Sequence, residues 1–175
     1  MPTTIALFAS GRRNGNTGQL MDRIAGELGI EVVDLAKKSI SPFDYEHENR
    51  GDDFEPLIAD VLGFEQIIFA SPVYWYAVSA PMKVFIDRLS DLLDVPELLD
   101  QGRRLRGKKG HVVCTSISEE PDAPFVQAFK ETFEYLGMEV GALVHANCED
   151  GYEPSKYEDD VRRFVEHVRC GAAPA

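Results

Sequence analysis

Short apolar runs of four to seven residues alternate along the chain with longer segments in which apolar positions recur at helical spacing. The runs fall near residues 3–9, 30–34, 65–70, 110–116 and 139–145. Near-continuous apolar strands of this kind suit a sheet covered on both faces. The periodic segments fall near 16–28, 54–63, 80–93, 123–136 and 155–170. Strand and helix therefore alternate as five βα units, which predicts an α/β fold with a parallel sheet rather than a helical bundle or a β-sandwich.

Local punctuation supports these boundaries. Asn16 or Thr17 is placed to cap the first helix and Gly29 to end it, Pro81 suits the first turn of the third, and Gly137 follows the fourth. In the third helix Met82, Val84, Phe85, Ile86, Leu89, Leu92 and Leu93 form a broad apolar stripe, with Lys83, Asp87, Arg88, Ser90 and Asp91 expected on the other side. Residues 44–53 are acidic, lack any period and read as a surface loop, in which Asp52 and Asp53 are expected to be solvated rather than metal-bound. Residues 1–170 form one expected domain, and 171–175 a frayed tail.

Two loops carry the chemistry. Ser10, Gly11, Arg12, Arg13, Asn14, Gly15, Asn16 and Thr17 follow the first strand and open into the first helix. A loop at a helix start offers backbone N–H groups and the positive end of the helix dipole to a phosphate. Ser10, Asn14, Asn16 and Thr17 add polar side chains, Gly11 and Gly15 permit close approach, and Arg12 adds a planar fork. No G-x-x-x-x-G-K-[ST] and no G-x-G-x-x-G occurs here, which sets aside an ATP-type phosphate loop and a dinucleotide fingerprint. The cysteine that a tyrosine phosphatase needs before its arginine is absent as well.

The second loop, Ser71, Pro72, Val73, Tyr74, Trp75 and Tyr76, follows the third strand. Neighbouring side chains on extended backbone diverge, so three adjacent aromatics cannot all enter one core, and at least one is expected to face solvent or a flat ligand. A third strand end, with Thr115 and Ser116, supplies hydroxyls. In open α/β sheets ligands bind outside the carboxyl ends of the strands. A phosphate at the first loop and a flat ring at the second together suggest flavin mononucleotide.

Charge and cysteine content narrow the partners. Lys plus Arg number 18 against 30 Asp plus Glu, a formal net charge of −12, which opposes general attraction to nucleic acid or anionic lipid. The basic run from Arg103 to Lys109 reads either as a solvated loop or as a dock for an anionic partner. Cys114, Cys148 and Cys170 are widely spaced and suggest neither a disulfide framework nor a zinc site. No signal peptide or membrane-length apolar stretch is evident, so a cytoplasmic location with no membrane partner is expected. The four histidines, His47, His111, His145 and His167, are scattered, and no metal is expected.

The run Ser71, Pro72, Val73, Tyr74, Trp75, Tyr76, Ala77, Val78, Ser79, Ala80, Pro81, Met82, Lys83, Val84, Phe85, Ile86, Asp87, Arg88 resembles a pattern of the NAD(P)H-dependent FMN reductase and quinone reductase branch of the flavodoxin-like family, as does the loop from Ser10 to Thr17. The resemblance implies a three-layer α/β/α sandwich with a five-stranded parallel sheet of order 2-1-3-4-5 and noncovalent FMN at its carboxyl edge, often in a homodimer or homotetramer. Carried over, it places Ser10, Arg12, Asn16 and Thr17 at the phosphate, where the loop reading adds Asn14 and Gly15, Pro72, Val73, Tyr74, Trp75 and Tyr76 around the ring, and Thr115 and Ser116 at its far edge. NAD(P)H would be the cosubstrate, a quinone, free flavin or similar small molecule the acceptor, and FMN rather than a side chain the carrier of the chemistry. Iron–sulfur members carry a cysteine cluster where this chain has Ser41, Pro42, Phe43, Asp44, Tyr45, Glu46 and His47, so no cluster is implied. The alternatives are a flavodoxin-like electron carrier without nicotinamide turnover, which the acidic charge suits, and a flavin-free scaffold or regulator.

Overall fold

A computed structural model describes residues 3–171. Five strands, β1 (Thr4–Phe8), β2 (Val32–Asp34), β3 (Gln66–Pro72), β4 (Lys109–Ser116) and β5 (Glu139–Asn147), form one sheet of order β2-β1-β3-β4-β5. Every pairing is parallel. The helices are α1 (Asn16–Leu28), α2 (Phe54–Val61), α3 (Ala80–Arg88), α4 (Asp91–Asp94), α5 (Leu99–Arg103), α6 (Ala123–Tyr135) and α7 (Glu158–Gly171).

The period of two along the strands divides the core. Ile5, Leu7, Ile67, Phe69, Val112 and Cys114 pack with Leu57, Met82, Phe85, Phe125, Phe129 and Phe133 of α2, α3 and α6. Ala6, Phe8, Ile68, Ala70 and Val113 pack on the opposite face with Leu20, Ile24, Phe164 and Val165 of α1 and α7. The result is the expected three-layer flavodoxin-like sandwich. Strand order reverses between β1 and β3, and there the crevice between loops opens above the sheet.

The α1 boundaries agree with the pattern, and Gly29 ends the helix in the left-handed conformation (φ 68°) while its N–H reaches Ala25 O at 2.8 Å. The cap differs from expectation. Gly15 occupies the N-cap without a side-chain bond, because the Thr17 hydroxyl is turned into the interior toward β4.

The segment 80–93 is not one helix. The backbone breaks after Arg88, and Arg88 and Asp91 are fully buried rather than on a solvated side. Arg88 Nε donates to Asp91 Oδ2 at 2.6 Å, its Nη1 donates to Asp52 Oδ2 at 2.6 Å and to Ser41 O at 3.1 Å, and its guanidinium lies 4.7 Å from the Phe54 ring centroid. Asp52 is thus no solvated carboxylate. Burial opposes its ionisation, but hydrogen bonds from Ser41 N, Arg88 and Phe54 N outweigh that and hold the carboxyl below its usual range. A surface loop is thereby pinned to the far end of α3.

The basic run has a structural use that neither sequence reading foresaw. Arg104 Nη2 and Lys108 Nζ donate to Leu62 O at 3.1 and 2.9 Å, and Lys108 also reaches Phe64 O. Leu62 caps the carboxyl end of α2 and Phe64 follows it, so these cations complement the negative end of the helix dipole. The tail expected at 171–175 lies outside the described residues from 172 onward, and Gly171 itself closes α7.

Candidate functional site

A cleft of about 720 Å³ lies at the carboxyl edge of the sheet. Its lining includes Ser10, Arg12, Gly15, Asn16 and Thr17 from the first loop, Pro72, Val73, Tyr74, Trp75 and Tyr76 from the second, and Thr115 and Ser116 from the end of β4. Of the residues expected from sequence, Asn14 alone stays outside, its main-chain oxygen 3.4 Å from Gln19 Nε2. Ile117, Ser118, Asp122 and Cys148 join the lining unforeseen. Ile117, Ser118 and Cys148 lie just past β4 and β5, and Asp122 is the N-cap of α6.

One residue joins the three segments. Thr115 Oγ1 is 2.6 Å from Thr17 Oγ1 in the interior, and Thr115 O accepts from Val73 N at 2.9 Å. The start of α1 and the root of the aromatic loop are therefore fixed to the same point on β4.

The first loop leaves donors unpaired at the start of α1. The first intrahelical bond of α1 runs from Gln19 N to Gly15 O at 2.9 Å, so the N–H groups of residues 16–18 have no helical carbonyl to meet. No acidic residue stands in the first turn and no side chain caps it. Gly18, unremarked in the sequence, is where the loop folds back most tightly. A Cβ there would lie 1.8 Å from Arg13 O.

The two adjacent arginines part company. Arg13 is engaged by Asp22, with Nη1 3.0 Å from Oδ2, and its guanidinium lies 4.9 Å from the Phe8 ring centroid. That hydrogen bond raises its already high pKa. Arg12 is the one basic side chain in the cleft lining and makes no ion pair among the described residues. Its charge is available to a ligand.

The second loop is a tight reversal. Tyr74 N donates to Ala77 O at 2.8 Å and Ala77 N to Tyr74 O at 3.1 Å, and the two central residues, Trp75 and Tyr76, have φ of 49° and 64°. Positive φ at both centres is the signature of a type I′ turn, normally the province of Gly and Asn. Each such non-glycine residue costs on the order of 1 kcal/mol or more. Trp75 is 92% exposed and Tyr76 63%. Two large rings are therefore held in strained backbone, largely unburied, at the mouth of the cleft.

The roots of that loop are fixed by serines. Ser71 Oγ accepts from Ser79 N at 2.9 Å, and Ser79 Oγ donates to Ala9 O at 2.9 Å, tying the start of α3 to the end of β1. At the other end of the cleft Ser116 Oγ lies 2.8 Å from His145 Nε2 and accepts from Ser118 N at 3.1 Å. Burial pushes the Cys148 thiol up to about 11 and Cys114 up to about 12, so both stay protonated and neither is a ready nucleophile. No cluster of three or more His, Cys, Asp or Glu side chains suited to a metal occurs among the described residues.

The cleft suits FMN in volume, in the donor set at one end and in the rings at the other. Comparison with known proteins agrees. The model of the family described as NADPH-dependent FMN reductase matches residues 2–168. A Bacillus subtilis (strain 168) protein, YwqN, named as an NAD(P)H-dependent FMN-containing oxidoreductase, is 31% identical over 150 residues, spanning 80% of this chain and 82% of that protein. Among solved structures, the Trp repressor binding protein from Bacillus subtilis superposes with a TM-score of 0.69 at 24% identity, covering 93% of this chain and 95% of the other. An FMN-dependent NADH-azoreductase from Bacillus anthracis, in complex with FMN, gives 0.66 at 11% identity over 97% and 100%. With its fold, cleft and sequence in agreement, the chain belongs to the NADPH-dependent FMN reductase family, enzymes that work with FMN and NAD(P)H.

Proposed function

We propose that the protein passes electrons from NAD(P)H, by way of FMN seated in this cleft, to a small diffusible acceptor such as a quinone or free flavin. The observation that carries the reading is the convergence, through Thr115, of an uncancelled helix start and an exposed aromatic turn on one cleft. The chemistry supplied by bound FMN is two-electron transfer, out of a reduced nicotinamide and into the acceptor.

The chain's own residues bind and orient. The N–H groups of residues 16–18, with Ser10, Asn16 and the Arg12 fork, take the phosphate. Pro72 to Tyr76 border the ring, and Thr115 and Ser116 stand at its far edge. The open mouth beside Trp75 and Tyr76 would admit nicotinamide and acceptor in turn to bound FMN. A small acceptor suits this opening, and the acidic charge of the chain disfavours nucleic acid as a partner. The family resemblance further suggests a homodimer or homotetramer working in the cytoplasm.

The test is steady-state oxidation of NAD(P)H by the FMN-loaded protein with and without a quinone. Turnover that rises with quinone supports the enzyme reading. Bound FMN without nicotinamide oxidation would move the function to an electron carrier, and failure to bind FMN at micromolar concentration would refute both.

A further inference from the structure

Ser116 faces two ways. Its residue lines the FMN cleft, while its hydroxyl oxygen lies 2.8 Å from Nε2 of His145 on the neighbouring strand β5. His145 does not line that cleft. It lines a second one of about 640 Å³ at the β5 edge of the sheet, together with Glu119, Glu120, Asn147, Tyr157, Asp160, Arg163 and His167. The Ser116–His145 pair therefore bridges two clefts through the wall between them.

Cys148 N donates to Ser116 O at 2.7 Å, and Ser118 N occupies one lone pair of Ser116 Oγ at 3.1 Å, which fixes the hydroxyl in place. One further acceptor or donor direction remains to the oxygen beyond His145, and the cleft is where the residue is exposed. The groups facing His145 are acidic in balance: Asp122 and Glu120 from the β4–α6 loop, Glu119 beside them, and Asp160 from α7, against Arg163 and the second imidazole of His167. An acid-lined opening favours proton entry from water.

We infer that His145, acting through Ser116, supplies the proton that accompanies acceptor reduction in the FMN cleft. The inference rests on the electron-transfer reading above. Reduction of a quinone consumes one NAD(P)H and one proton and yields NAD(P)⁺ and a hydroquinone. The dihydronicotinamide provides two electrons and one proton as hydride, and the second proton comes from water by way of the pair. Protonated His145 hands its Nε2 proton to Ser116 Oγ as the Ser116 hydroxyl proton moves to the acceptor oxygen. The imidazole, left neutral, regains a proton from water in the β5 cleft. Burial holds it below the ordinary imidazole range against the pull of Asp122 and Glu120, so its protonated form gives up the proton readily. In this relay Ser116 is the group assigned to the acceptor, and His145 is a positioning and supplying residue behind it.

The experiment uses FMN-loaded protein as wild type, Ser116→Ala, His145→Gln and the double variant. Stopped-flow spectroscopy follows reduction by NAD(P)H and reoxidation by 1,4-benzoquinone separately. Reoxidation in wild type slows as pH rises through the His145 titration. Each single variant slows reoxidation at least tenfold more than it slows reduction, His145→Gln loses the pH dependence, and the double variant is no slower than the slower single. An activity-free readout accompanies this: the His145 imidazole titration followed by NMR moves to higher pH when the loaded protein is reduced with dithionite, and the shift disappears in Ser116→Ala. Unchanged reoxidation in His145→Gln, slowing without a change of pH profile, or identical titrations in oxidised and reduced protein would overturn the relay. If NAD(P)H fails to reduce the loaded protein, the enzyme reading falls by itself, and the dithionite titration still decides the relay.

Discussion

The two loops that form the cleft are built by opposite means. The first is sunk into the molecule: Thr17 is buried against Thr115, Gly18 is pressed against Arg13 O, and α1 packs along the sheet behind it. The second is held only at its roots, by Ser71, Ser79 and Val73, while its tip carries Trp75 and Tyr76 in strained, exposed backbone. A phosphate is small, charged and satisfied by fixed donors, so its loop gains from rigidity. A flat ring that must meet successive partners needs an aromatic border that leaves one face open. In the proposed placement, stability and ligand contact therefore coincide in the first loop and are separated in the second.

Substitutions separate these contributions, the largest at the far end of the arm that carries the aromatic turn. Arg88→Met strands Asp52 and Asp91 inside the protein without their cation, and removing one partner of such a buried network costs about 3–5 kcal/mol. Urea unfolding should show that loss although Arg88 lies outside the cleft lining. Gly18→Ala strikes the first loop directly. Its new Cβ meets backbone that cannot swing aside, so a loss of roughly 1–3 kcal/mol in stability should accompany at least tenfold weaker FMN binding by fluorescence titration.

Acid loosens the sheet that carries both loops. His111 is buried between β3 and β5, its Nδ1 accepting from Ala142 N at 3.0 Å and its Nε2 2.9 Å from Gln66 Oε1, and burial pushes its pKa down to about 3. Below an unfolded value near 6.5 the unfolded chain takes up a proton that the native state refuses, so stability falls by roughly 1 kcal/mol per pH unit as pH drops toward 3. Urea midpoints between pH 7 and 4 should trace that decline, with a shallower slope in His111→Gln. The smallest effect has the opposite sign. Trp75→Gly relieves a positive φ and should stabilise the protein by about 1 kcal/mol while weakening flavin binding, a trade that thermal denaturation and titration together would expose.

Much of the first loop was legible in sequence because its elements are local: an apolar strand, polar residues and glycines, then a helix start. The five βα units were legible for the same reason, since each strand and helix declares its own period. What could not be read were pairings between distant segments. Arg88 and Asp91 look solvated on a helical wheel until Asp52, from a loop 36 residues away, supplies the counter-charge that allows burial. Scattered histidines conceal that His145 meets Ser116 across adjacent strands, and nothing local shows that Lys108 will cover the end of α2. The strain in Trp75 and Tyr76 was hidden as well, because their identities argue against the turn they make.

The division of labour between the loops is tested most directly by calorimetric titration of FMN and riboflavin, which differ only in the phosphate, into wild type, Arg12→Met and Trp75→Gly. Arg12→Met should weaken FMN at least tenfold and leave riboflavin unchanged, while Trp75→Gly weakens both ligands by the same factor. Equal losses for both ligands in Arg12→Met, or a loss confined to FMN in Trp75→Gly, would contradict the placement of phosphate and ring at these two loops.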